Sequence, residues 1–81
     1  MMMKEYLSVR GINMKTYEVC VVDETEEEYD LYKTTNIEFL EHGWLKVKNA
    51  NLWYRALGEW SKETFTRIFP NSRVLWIDEE L

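Results

Sequence analysis

One cysteine, one proline, one histidine and three glycines in 81 residues each close off a class of protein. A lone Cys20 forms no internal disulfide, so a packed core must hold the fold. Cys20 and His42 are the one cysteine and the one histidine, and a structural zinc site wants about four Cys, His or carboxylate ligands at close spacing. The glycines, Gly11, Gly43 and Gly58, stand far apart, which leaves no phosphate-cradling loop and no dinucleotide fingerprint. A nucleophile needs a base beside it, and Cys20 and His42 fall in a strand pattern and a turn pattern respectively. The acidic run from Asp23 places Glu28 where a calcium-binding EF-hand loop requires glycine. The sequence therefore predicts a protein that is not an enzyme and carries no metal or cofactor.

Long apolar runs are missing as well, so no membrane-spanning helix is expected. The opening Met-Met-Met-Lys-Glu-Tyr-Leu-Ser lacks the basic-then-apolar order of a secretory signal, and the reading is a cytoplasmic protein. Cations are outnumbered, with 10 Lys and Arg against 15 Asp and Glu, for a formal net charge of −5. That sign repels phosphate backbones and disfavours general binding to nucleic acid.

What is abundant is apolar and aromatic. The chain is 46% hydrophobic, with 4 Trp, 5 Tyr and 3 Phe, enough for one core in one domain over residues 1–81. The organising stretch runs from Ile37 to Leu57 and reads as three antiparallel strands. A three-residue loop at Glu41-His42-Gly43, with Gly43 left-handed, sets Leu40 against Trp44, Phe39 against Leu45, Glu38 against Lys46 and Ile37 against Val47. Apolar then meets apolar, and the one charged pair is of opposite sign. A two-residue loop would oppose Phe39 to Lys46 and mix the faces.

A second turn, closed at Val47 and Leu52, would pair Leu45 with Tyr54, Lys46 with Trp53 and Trp44 with Arg55. The predicted core face is Ile37, Phe39, Leu45, Val47, Leu52 and Tyr54. Glu38, Leu40, Trp44, Lys46, Trp53 and Arg55 take the other face, where each cation can lie near an indole.

Around this centre, Lys15–Asp23 is a strand with Tyr17, Val19 and Val21 on one face and Glu18, Cys20 and Val22 on the other, central or covered. Tyr29, Leu31 and Lys33 share a face of the next strand, and Thr34-Thr35-Asn36 makes a bend or bulge. Residues 61–69 read either as a short helix capped by Ser61 or as a strand through Thr64–Ile68. Arg73–Asp78 is a last strand, with Val74 and Trp76 on one side and Leu75 and Ile77 on the other, covered on both. Residues 1–14 are an edge strand or a loose arm.

Five to six short strands with tight connections predict a mainly β fold, or α+β with one short helix. Its form is a small antiparallel, strongly curved sheet or a barrel that resembles SH3-like or Sm-like domains in outline.

Two surfaces are candidates for a partner. Asp23, Glu24, Glu26, Glu27, Glu28 and Asp30, joined by Asp78, Glu79 and Glu80, could dock on the basic surface of a protein, imitating a row of phosphates. Equally, they could be a solvated loop that keeps the chain soluble and blunts a sheet edge. Trp44, Lys46, Trp53 and Arg55 could form an exposed binding face, or lie under Trp60 or Phe65–Phe69 as a lid. The reading that follows is a small acidic inhibitor or adaptor of a protein partner. The alternatives are a nucleic-acid or nucleotide binder that stacks bases on the Trp/Lys/Arg face, and a self-associating structural domain.

Overall fold

The computed structural model describes residues 15–23, 25 and 27–80. The expected strand or arm over residues 1–14 lies outside them, as do Glu24 and Glu26. Among the described residues seven strands form one antiparallel, strongly curved half-barrel: β1 (Thr16–Val22), β2 (Tyr29–Thr34), β3 (Asn36–Leu40), β4 (Trp44–Tyr54), β5 (Glu59–Trp60), β6 (Phe65–Pro70) and β7 (Val74–Glu80). The order is β3-β4-β2-β1-β7, with β5 and β6 also paired to β4. The curved-sheet alternative is thus the one adopted. The only helical element among the described residues is a 3-10 turn at Asn71–Arg73.

The hairpin at the centre has the expected register. Leu40, Phe39, Glu38 and Ile37 face Trp44, Leu45, Lys46 and Val47 in turn. Gly43 is left-handed at φ 80°, and His42 joins it at φ 64°. The second turn does not exist. Instead β4 runs unbroken through eleven residues, so Leu45–Tyr54, Lys46–Trp53 and Trp44–Arg55 are not cross-strand neighbours.

Inward parity nevertheless changes at residues 48–49, because Asn49 takes a left-handed φ of 48°. Val47 and Ala50 are both buried, and Leu52 packs against the same core. Across the ladder the chain bends at Thr35, so Ile37 and Tyr32 both turn inward from opposite sides of that bend. Both strands switch parity together, and the register between them is unbroken: Asn36 faces Lys48 and Lys33 faces Asn51. On the other flank β6 does not switch, and its register against β4 slips between Val47 and Ala50.

Side chains satisfy the backbone at these breaks, as buried peptide groups require. The buried Thr34 hydroxyl donates to the Lys48 carbonyl and accepts the Asn36 amide at 3.1 Å. The Asn49 amide donates to Thr66 Oγ1 at 3.0 Å. Ser61, buried between β5 and β6, accepts the Leu52 amide on Oγ at 2.9 Å and donates to the Glu63 carbonyl at 2.7 Å. It stitches two short strands to β4 and caps no helix; the strand reading of this segment holds in β6.

The core comprises Val19, Val21, Tyr32, Leu45, Val47, Ala50 and Phe69, with Tyr17, Ile37, Leu52, Val74 and Ile77 against it. Two expected members are missing. Phe39 shares a face with Leu45, but β3 is an edge strand and leaves it 66% exposed. Tyr54 is half-buried outside the cluster, at the open end of β4.

In β7 the expected faces are overturned. The register against β1 shifts between Cys20, which faces Trp76, and Val21, which faces Val74. Leu75 is the extra residue of a bulge. Val74 and Ile77 therefore both reach the core, while Leu75 and Trp76 both point out and stay exposed, so β7 is covered on one side only.

Candidate functional site

The face opposite the core carries a row that crosses the sheet. Trp60 faces Trp53, Leu31 faces Cys20, and Cys20 faces Trp76. Alternation puts all five on one side. The Trp53 and Trp60 rings meet edge to face, centroids 5.1 Å apart at 66°. Beside them Lys33 Nζ sits 4.9 Å from the centre of the Trp60 ring.

Where this row meets the end of β1, the surface sinks into a cleft of about 360 Å³, lined by Cys20, Tyr29, Leu31, Trp53, Arg55, Leu75 and Trp76. Leu31 and Cys20 form the floor, on adjacent strands, and the two indoles flank it. Tyr29 is 55% exposed and Trp76 42%, so the walls are open to a partner. The volume lies in the range of small-ligand or anchor-residue pockets. Burial, with the Asp30 charge adding, pushes the Cys20 thiol above its ordinary pKa. A thiol in that state is a weak nucleophile, and here it serves as floor.

The acidic loop between β1 and β2 borders this cleft. Arg55 Nη2 binds Glu28 Oε1 at 3.2 Å across the rim, both side chains well exposed. Asp30 lines an adjoining depression with Trp53 and Arg55. In the loop, Asp23 Oδ1 accepts the Thr25 amide and hydroxyl at 3.0 and 2.8 Å and the Glu27 amide at 3.3 Å. The Thr25 hydroxyl foremost, with backbone amides, holds the Asp23 carboxyl below its usual range.

The predicted site residues therefore separate into groups. Trp53 and Arg55 lie at the cleft, where the loop acid Glu28 reaches Arg55, whereas Asp30, on β2 opposite the core residue Val21, faces the other side of the sheet. Trp44 and Lys46 lie at the far end of β4, nine residues before Trp53 and Arg55 respectively, on the other side of the break at Asn49. They flank β3 and β6 and do not complete a four-residue face, and neither predicted cation–indole neighbour pair forms. Asp78, Glu79 and Glu80 pair with Glu18, Tyr17 and Thr16, at the end of β1 opposite the loop, so they do not extend the acidic run. Glu79 binds Lys15 at 3.1 Å instead, which raises the Lys15 pKa.

Sequence reasoning missed Tyr29, Leu31, Leu75 and Trp76 as site residues. Alternation had put Tyr29 and Leu31 on one face and could have found them; the β7 bulge that turns Trp76 outward leaves no pattern to read. Among the described residues no three His, Cys, Asp or Glu side chains converge as a metal site, and no helix is long and apolar enough to cross a membrane. No protein-family model matches the chain, and no match to it was found among curated proteins or solved structures.

Proposed function

We propose that this is a small non-enzymatic binding protein that occupies a functional surface of a basic protein partner, as an inhibitor or an adaptor. The observation that supports it is the junction of the two candidate surfaces: the acidic loop borders an open cleft walled by Trp53, Trp76 and Tyr29. Large aromatic side chains in a concave site carry most of the affinity of typical interfaces. Carboxylates beside them hasten encounter with a basic partner and reject acidic ones.

The nucleic-acid reading has less behind it. Lys46 is remote from the cleft, Arg55 is engaged by Glu28, and Trp53 is already packed edge to face with Trp60. A stacking platform beside this many carboxylates would repel the phosphates it must hold.

Immobilised protein, exposed to a lysate at low and at high salt, should retain a partner that Trp76→Ala loses and that Glu27→Lys with Glu28→Lys loses. Equal recovery by all three proteins, or no specific recovery at low salt, would reject this function.

A further inference from the structure

We propose that the outer-face cleft receives a lysine or arginine side chain of the protein partner, its aliphatic stem over Leu31 and Cys20 and its charge toward Glu28. The inference rests on the binding role above and names the chemistry of the group that enters.

Three features converge on a cationic occupant. The walls are Trp53, Trp76 and Tyr29, and the faces of such rings attract cations through their quadrupoles. The floor is apolar, and long basic side chains bury their methylenes on such surfaces while keeping the charged head at a polar margin. That margin carries Glu28, with Glu27 exposed next in the chain. The sheet already uses this stacking within itself: Lys33 lies over Trp60, and the Arg67 guanidinium lies 4.8 Å from the Phe65 ring centre.

One lining group opposes, and it makes the proposal sharp. Arg55 is a cation at the rim, held by Glu28 in an exposed pair of the kind that exchanges readily. A basic side chain entering the cleft competes with Arg55 for Glu28. An anionic occupant would instead need Arg55 and would have to displace Glu28 from it.

The test follows tryptophan fluorescence as the full-length protein is titrated with capped pentapeptides Gly-Leu-X-Leu-Gly, where X is lysine, glutamate or norleucine. The lysine peptide should bind tightest. Arg55→Gln should tighten it and Glu28→Gln weaken it, each by about two- to fivefold for one exposed charge. Both positions are exposed, so neither variant should disturb folding. Trp76→Ala should abolish saturable binding. Preference for the glutamate or norleucine peptide, weaker lysine-peptide binding in Arg55→Gln, or no saturable response to the lysine peptide would each overturn the inference. The binding role stands or falls separately, on the Trp76-dependent capture from lysate.

Discussion

At the scale of single residues, burial separates side chains that the strand pattern treats alike. Phe39 and Leu45 face each other across one ladder, yet one is on an edge strand and the other in the middle of the sheet. Leu45→Ala should cost about 2–5 kcal/mol by denaturant unfolding, and Phe39→Ala no more than about 1 kcal/mol. Thr34 fills a buried position with a hydroxyl that serves two backbone groups. Thr34→Val keeps the shape and strands both partners, so a loss of about 1–3 kcal/mol is expected in the same measurement.

Asp23 supplies the pH dependence at this scale. Its folded pKa is depressed, so what it lends the loop is complete above its unfolded pKa and is lost as pH falls through the folded value. In an NMR titration the Thr25 and Glu27 amides should shift together with the Asp23 carboxyl, at lower pH than an ordinary aspartate titrates. A coincident midpoint in the ordinary range would contradict the Asp23 hydrogen bonds.

At the scale of elements, the decisive feature is the paired break at Thr35 and Asn49. A hairpin whose strands reverse their faces together stays in register, and this bends the sheet without breaking its ladder. Asn49 is the residue that permits it, because asparagine tolerates a left-handed backbone better than any β-branched residue. Asn49→Gly should fold with nearly unchanged stability, while Asn49→Val should lose about 1–2 kcal/mol. Thermal unfolding of the two variants side by side checks this.

The same break stands where alternation predicts a second turn. Val47 and Leu52 do share the inner face, as the alternation demanded. A turn with an even loop and a break within one strand both produce that parity, and local sequence does not choose between them. What chooses is β2 and β6, which flank β4 on both sides and hold it extended. The segment after Ser61 is decided likewise: Phe65–Pro70 finds an open edge of β4 to pair with, and a helix there would leave that edge bare.

At the scale of the whole molecule, charge is arranged by place. The loop acids border the aromatic cleft at one end of β1, and Asp78, Glu79 and Glu80 lie at the other, along an outer strand of the sheet. Acids on an edge strand discourage pairing with a second chain. Asp78→Val with Glu80→Val should therefore raise self-association in sedimentation at high protein concentration, whereas Glu27→Lys with Glu28→Lys should not. The opposite result would assign the edge and loop acids each other's roles.

The residues alone determined that the chain is a small antiparallel β protein, with a hairpin closed at Glu41–Gly43, Val19 and Val21 sharing one face, and Leu45 and Val47 facing inward. Period-two alternation and a left-handed glycine are local properties, and local properties survive without knowledge of the rest of the chain. Tertiary structure alone decided that β4 is one strand, that Phe39 stays in solvent, and that Trp53 and Trp76 share a cleft with the acidic loop. Each of those depends on which strands become neighbours and where a ladder gains one residue. That choice is made by burial and pairing across the whole sheet, at positions many residues apart in the chain.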